Sequence, residues 1–256
     1  MRIAVTGATG RMGQEVVAAA HERGDEVAVA VNRDPAAEET VEGVPVEPAA
    51  DLPALLRDRD PDALVDFTGP ESALDYLAAC ADAGVPAVVG TTGFDEADEA
   101  TIRERAETVP VLRAANFARG VQALTRVVRE AVAALPGYDV EVTETHHNAK
   151  RDAPSGTAGE LLDAIDDVRG EERRVHGREG EAPRSEGEVG VHARRAGDVT
   201  GEHEVLLADN HEVLTLTHRA ESRGVFAAGA LDAAAWLVAE GGDRGYYTFA
   251  DAVEDT

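Results

Sequence analysis

A single lysine, Lys150, stands among the 24 lysine and arginine side chains of this 256-residue chain. It sits in a dense polar run, Glu144-Thr145-His146-His147-Asn148-Ala149-Lys150-Arg151-Asp152-Ala153-Pro154-Ser155-Gly156-Thr157. Arginine carries the same charge but holds its proton too tightly to act as an acid near neutral pH, whereas an ammonium can be tuned to release one. Ser155, Gly156 and Thr157 open a helix after Pro154, and such a start offers backbone N–H groups and hydroxyls to one oxyanion. Two imidazoles and an ammonium beside that cradle describe a pocket for a carboxylate-bearing substrate, with Lys150 and His146 as the groups able to supply a proton. The competing readings are a lysine of no consequence beside Arg151 and a satisfied core role for either histidine. A metal site is not expected: adjacent His146 and His147 point to opposite faces of a strand, no cysteine is near, and Lys150 opposes a cation.

A second constellation lies at the start of the chain. Val5-Thr6-Gly7-Ala8-Thr9-Gly10-Arg11-Met12-Gly13 follows a strand and opens a helix. Glycines there let the backbone turn sharply and approach a pyrophosphate, which the helix N-terminus attracts. Asn32-Arg33 ends the second strand, where an acidic residue would hold a ribose 2′-hydroxyl. Asparagine removes the repulsion that a 2′-phosphate would meet, and Arg33 can pair with it. The pair predicts NADPH in preference to NADH; the alternative is that Arg33 is a solvated turn residue. Gly90-Thr91-Thr92-Gly93 and Ala114-Ala115-Asn116-Phe117 end two later parallel strands, where small residues and hydroxyls suit close approach to a nicotinamide.

The elements that must position these groups read as two blocks. Strands at 2–6, 26–31, 62–67, 86–89 and 109–112 alternate with helices at 11–23, 71–83 and 95–107, the pattern of a parallel sheet covered on both faces. After a helix at 118–135, the alternating segments 140–144, 188–194, 203–208 and 212–218 indicate an antiparallel or mixed sheet, with a helix at 157–168 and a hairpin turn at Asp209-Asn210-His211. Residues 169–187 read as a loop, and the apolar helix at 226–239 returns to the first block. The expected fold is α/β. A Rossmann-like dinucleotide-binding domain spans residues 1–117 with the return of about 226–256, and an α+β substrate-binding and oligomerisation domain spans 118–225.

Net charge is −26, which repels phosphate backbones, so a nucleic-acid partner is not expected. Acidity with lysine depletion points to work in concentrated salt, where screening tolerates self-repulsion. Cys80, the only cysteine, reads as a buried helical thiol. No signal peptide and no apolar run of about 18 residues are visible, so a cytoplasmic protein without membrane contact is expected.

Together the residues resemble the 4-hydroxy-tetrahydrodipicolinate reductase family, formerly dihydrodipicolinate reductase, of the diaminopimelate route to lysine. The resemblance covers nearly the whole chain. It runs through residues 7–13, Asp66-Phe67-Thr68, Gly90-Thr91-Thr92-Gly93-Phe94, Ala115-Asn116-Phe117, the stretch from Glu144 to Ala158, Arg195-Ala196-Gly197-Asp198 and Gly201-Glu202-His203. It implies hydride transfer from a nicotinamide to a cyclic imine dicarboxylate with loss of water, with His146 and Lys150 at the proton-donor positions. His147, Gly156, Thr157 and Thr92 would bind substrate. Gly7, Ala8, Thr9, Gly10, Arg11, Met12, Arg33, Gly90, Thr91, Thr92, Ala114, Ala115, Asn116 and Phe117 would contact cofactor. A homotetramer assembled through the second domain's sheet is also implied. Asn32 departs from the family, where many members carry an acidic residue, and the loop at 169–187 matches nothing diagnostic. Rival readings are another Rossmann-type dehydrogenase and a non-catalytic dinucleotide sensor. The Tyr-x-x-x-Lys of short-chain dehydrogenases is missing, since Cys80, Val142, Ala250 and Asp251 stand four positions after the four tyrosines.

Overall fold

The computed structural model of the chain describes residues 1–239 and 243–254, the side chain of Glu254 apart; residues 240–242, 255 and 256, part of the expected return segment, lie outside the described residues. The chain divides into two compact units, one made of Met1–Phe117 with the described residues from Arg223 onward, the other of Ala118–Ser222.

In the first unit, β1 (Arg2–Thr6), α1 (Arg11–Arg23) and β2 (Glu26–Asn32) form the opening β-α-β turn. A small hairpin of β3 (Thr40–Val41) and β4 (Val44–Pro45) follows, then β5 (Glu47–Pro48) and α2 (Leu52–Arg59). The chain continues through β6 (Ala63–Asp66), α3 (Pro70–Ala83), β7 (Ala87–Val89), α4 (Glu96–Ala106) and β8 (Val111–Arg113). All strands of the seven-stranded sheet, in the order β14-β8-β7-β6-β1-β2-β5, run parallel, β14 being Tyr246–Thr248. Ile3 and Val5 pack into one core with residues of α1 and the return helix, while Ala4 between them joins the core on the opposite face. A parallel sheet buried on both faces requires this near-continuous apolar run. Strand order reverses between β1 and β6, so the loops after these two strands open the crevice where ligands of such sheets bind.

In the second unit, α5 (Arg119–Ala134), β9 (Asp139–His146), α6 (Gly156–Arg169), β10 (Arg173–His176), β11 (Glu188–Arg195), β12 (Gly201–Asp209) and β13 (Glu212–Ala220) follow in order. β9 alternates between buried and half-buried residues from Val140 onward, and its apolar members pack with β11, β12, α5 and α6 in one core. The sheet, ordered β10-β11-β9-β12-β13, is mixed: β12 runs antiparallel to β9 and β13, whereas β10, β11 and β9 run parallel. Asp209 pairs with Glu212, leaving Asn210 and His211 as a two-residue turn with φ of 47° and 65°, the left-handed geometry a tight hairpin needs.

The segment 169–187 is not wholly a loop, because β10 lies within it. Its Arg173 and Arg178 pair with the buried Glu188 of β11, and Arg184 pairs with Glu141 of β9. Backbone pairing with β11 and the Arg173–Glu188 ion pair hold this strand, and its Arg-Arg-Val-His sequence has no alternating apolar pattern, which is why periodicity did not reveal it. In the first unit α7 (Gly224–Ala239) packs against α1, and α8 (Phe249–Glu254) closes the described chain.

Candidate active site

The first unit builds a dinucleotide cradle. Gly7 takes φ of +62°, which few other residues adopt, and its carbonyl accepts from the Gly10 amide at 2.8 Å, closing the turn. A Cβ on Gly13 would lie 2.1 Å from that carbonyl, so a hydrogen there is what lets α1 start directly against the loop. The first turn of α1 carries no acidic residue and no side chain caps it, leaving the helix N-terminus suited to an anion. A cavity of about 360 Å³ opens at this point, lined by Gly7, Thr9, Gly10, Asn32, Arg33 and residues 67–69 with Ser72 and Tyr76. Asn32 Nδ2 donates to Thr9 Oγ1 at 2.5 Å, and Arg33 Nη2 donates to Ser72 Oγ at 2.8 Å. A second cavity of about 300 Å³ adjoins Arg33, Ser72 and Tyr76 and is lined with Ala49, Ala50, Leu52 and Pro53. The glycine turn, the helix start without acidic residues, the Arg33 guanidinium and the adjoining cavity fit a dinucleotide.

Beneath the cradle, Asp66 ends β6 and is buried. It accepts from Thr6 Oγ1 at 2.6 Å, Thr68 Oγ1 at 2.7 Å and Thr91 Oγ1 at 2.5 Å. Burial pushes its carboxyl above the ordinary value, against the pull of these three hydroxyls. One carboxylate therefore ties the ends of β1, β6 and β7 together. Of the other cofactor candidates, Ala8 and Phe117 are buried, Gly90, Ala114 and Asn116 are half-buried, and Arg11 and Ala115 are exposed; Thr92 is exposed on the loop after β7 of this unit.

The second unit gathers the ionisable groups. Glu144 and His146 share one face of β9, the central strand, and the loop that follows carries His147, Lys150 and Asp152 before Ser155 caps α6. His146 Nδ1 lies 2.5 Å from Glu144 Oε2, and Glu144 is 1% exposed. Arg195 Nη1 and Nη2 reach the two oxygens of that carboxylate, each at 2.8 Å. Burial works to raise the Glu144 carboxyl, but Arg195 and His146 outweigh it and hold the group below the ordinary range. Burial pushes His146 down, with Glu144 opposing, so the imidazole is the neutral partner. Glu144 has no proton to give, so the ring proton sits on Nδ1 and Nε2 presents a lone pair. Gly201 leaves room for it: a Cβ there would lie 3.2 Å from Nε2.

Lys150 Nζ donates to Asp152 Oδ1 at 2.9 Å, and Lys150 N donates to His147 O at 3.2 Å, folding the loop back on itself. Ser155 Oγ accepts from the Ala158 amide at 3.2 Å; Gly156 is exposed and Thr157 buried at the start of α6. Among the described residues no group of three or more His, Cys, Asp or Glu is placed to hold a metal ion.

Three residues of this site are not among the site residues expected from the sequence. His203, which the sequence offers only within the Gly201-Glu202-His203 stretch, is 3% exposed with its ring 5.1 Å from that of His146. Burial pushes it down to about 4. Glu144 carries no evident role in the run that contains it, and Arg195 reads equally well as a sheet-edge turn. In the structure its side chain turns inward, onto β9. The alternation of β9 could have placed Glu144 on the buried face, where an acid needs a partner.

Comparison with known proteins gives a consistent result. A family model described as dihydrodipicolinate reductase, N-terminus, matches residues 1–117, and one described as dihydrodipicolinate reductase, C-terminus, matches residues 120–253. The chain is 56% identical over 256 residues to the 4-hydroxy-tetrahydrodipicolinate reductase of Natronomonas pharaonis, covering 99% of this chain and 100% of the relative. Identity to the enzyme of that name from Haloarcula marismortui is 54% over 253 residues, with 99% of each chain covered. A solved structure of dipicolinate-bound dihydrodipicolinate reductase from Paenisporosarcina superposes with a TM-score of 0.76 at 27% identity, covering 97% of each chain. Aspartate semialdehyde dehydrogenase II from Vibrio cholerae, at 13% identity and a TM-score of 0.56 over 93% of this chain and 98% of its own, shares the fold alone.

Proposed function

Because the chain belongs to the dihydrodipicolinate reductase family, we propose that it reduces 4-hydroxy-tetrahydrodipicolinate to tetrahydrodipicolinate with loss of water, on the diaminopimelate route to lysine. A bound nicotinamide dinucleotide supplies the hydride. The observation that carries the reading is the cluster at the end of β9, where a carboxylate-held imidazole and the ammonium of the chain's one lysine stand beside a capped helix start.

Each role follows from chemistry. Hydride addition to a conjugated imine builds negative charge on the ring, and that charge must be met by a proton. Lys150 and His146 hold protons for it, and a positioned acid is worth roughly 100- to 10,000-fold. His146 is neutral before substrate arrives; two substrate carboxylates nearby favour its protonated form. The N–H groups of Gly156 and Thr157, with the His147 ring, hold a carboxylate. In the first unit, residues 7–12 hold the pyrophosphate and Arg33 the 2′-phosphate, so NADPH is preferred and NADH used less well. Residues 90–92 and 114–117 take the nicotinamide end.

We extend the reading to a cytoplasmic homotetramer that works in concentrated salt. Strand β13 supports assembly: it is an end strand of its sheet and exposes Val213 and Leu214. The net charge of −26 supports the salt requirement. Sedimentation in molar potassium chloride should give four times the 26.9 kDa chain mass, and a monomer would remove that part. The activity is tested in the same salt by generating substrate from pyruvate and aspartate semialdehyde with the upstream synthase and following NADPH absorbance. Oxidation dependent on all components is expected; NADPH binding without turnover would favour the sensor.

A further inference from the structure

We propose that Arg195 and Glu144 are positioning residues for this reduction, one guanidinium fixing both the ring orientation of His146 and the seat of the loop that carries Lys150. The inference rests on the reading above.

Four contacts converge on the Arg195 guanidinium. Nη1 and Nη2 grip the two oxygens of Glu144 at 2.8 Å each, a bidentate pair that holds the carboxylate in one plane. Nη2 also donates to the Asp152 carbonyl at 2.5 Å, and Nη1 to the Arg194 carbonyl at 2.7 Å. The first pair leads to His146, because Glu144 Oε2 takes the Nδ1 proton at 2.5 Å. The third contact leads to Lys150, because Asp152 is also the residue whose side chain holds the ammonium at 2.9 Å. Backbone bonds make the frame rigid: Ala196 N donates to His146 O at 2.9 Å and Asn148 N to Gly197 O at 3.0 Å.

The arrangement explains why a carboxylate lies buried at the end of the central strand. An unpaired buried charge is costly, so Glu144 is tolerable only with Arg195 in place, and in return it gives the imidazole a fixed acceptor. Without Glu144 the ring would be free to flip or to carry its proton on Nε2. Lysine at position 195 would keep the charge but has no planar fork to bind two oxygens and a carbonyl together.

The test uses Glu144→Gln, Arg195→Lys and Arg195→Ala in the full chain. Nitrogen-15 spectra of the histidine rings, without substrate, should show His146 protonated on Nδ1 in the parent and shifted towards Nε2 in Glu144→Gln. Turnover in Glu144→Gln and Arg195→Lys should fall roughly 10- to 100-fold, the range for removing the partner that orients a histidine. The Michaelis constant for NADPH should stay within about twofold, and the pH profile of kcat should change shape. Guanidinium chloride at millimolar concentration should restore part of the Arg195→Ala turnover, where equal sodium chloride does not. An unchanged His146 tautomer in Glu144→Gln would overturn the proposal. So would turnover and pH profiles matching the parent, or losses in all three variants that only track the unfolded fraction. If the parent itself fails to reduce the imine, the reaction is wrong, and the ring spectra still decide the positioning role.

Discussion

His203 Nε2 lies 3.2 Å from Ser155 Oγ, the same oxygen that accepts from the Ala158 amide and caps α6. A hydroxyl committed to a helix cap thus also contacts a buried imidazole. Around that ring stand Glu144, His146, Lys150 and His218. Burial lowers His203 from 6.5 to about 4, so the folded protein binds its proton less readily than the unfolded chain does. The sign follows: stability is fully present above about pH 6.5 and is lost as pH falls towards 4, by up to about 3 kcal/mol. His146 and His218, also lowered by burial, act in the same direction. Denaturant titrations at pH 7.5 and 5 should show the loss, and His203→Gln should reduce it. Equal stability of the parent at both values would refute the assignment.

Lys150 is paired with Asp152 and emerges from a loop that folds back on itself, Lys150 N donating to His147 O. Lys150→Ala and Lys150→Arg should each lower turnover by roughly 100- to 10,000-fold, since arginine offers charge without acidity. His146→Ala should fall in the same range. NADPH affinity, read by quenching of protein fluorescence, should hardly change in any of them. Near-parental turnover in Lys150→Arg would leave the ammonium without its part.

Cofactor choice is expected to turn on Arg33, which Ser72 holds at 2.8 Å beside the cavity. Arg33→Ala should raise the Michaelis constant for NADPH about tenfold or more, the worth of a charge-assisted contact, and leave that for NADH nearly unchanged. Asn32→Asp should move preference the same way by repelling a 2′-phosphate. Steady-state kinetics with both cofactors check this, and a parent that already prefers NADH would contradict it.

Two glycine replacements should differ in sign. In Gly13→Ala the new Cβ would meet Gly7 O at 2.1 Å and Ala8 Cα at 2.7 Å, both backbone atoms, so the loop must move. A loss of about 1–3 kcal/mol together with dinucleotide binding is expected. Gly159→Ala, inside α6 with nothing within 4 Å of its Cβ, should gain about 0.5–1 kcal/mol. Thermal unfolding in molar salt compares the two, and an unaffected Gly13→Ala would show that the close start of α1 is dispensable.

Local chemistry was legible in the sequence. The glycine turn, the 13 residues of α1, the alternation of β9 and the Asn210-His211 hairpin all depend on neighbours a few positions apart, and their residues reveal them. Strands β3, β4 and β5 were not legible, because they are two residues each and too short for any period to appear. Alternation told which face of β9 is buried but not that β11 runs parallel to it, since direction is set by the chain's path between the strands. For the candidate site, His146, Lys150 and the start of α6 fall within one run of residues. Glu144 meets Arg195, 51 residues away, and the His146 ring packs against that of His203 on another strand. Residue types state what a side chain can do; only the packed sheet decides which charges meet, because pairing across strands depends on register and burial rather than on distance along the chain.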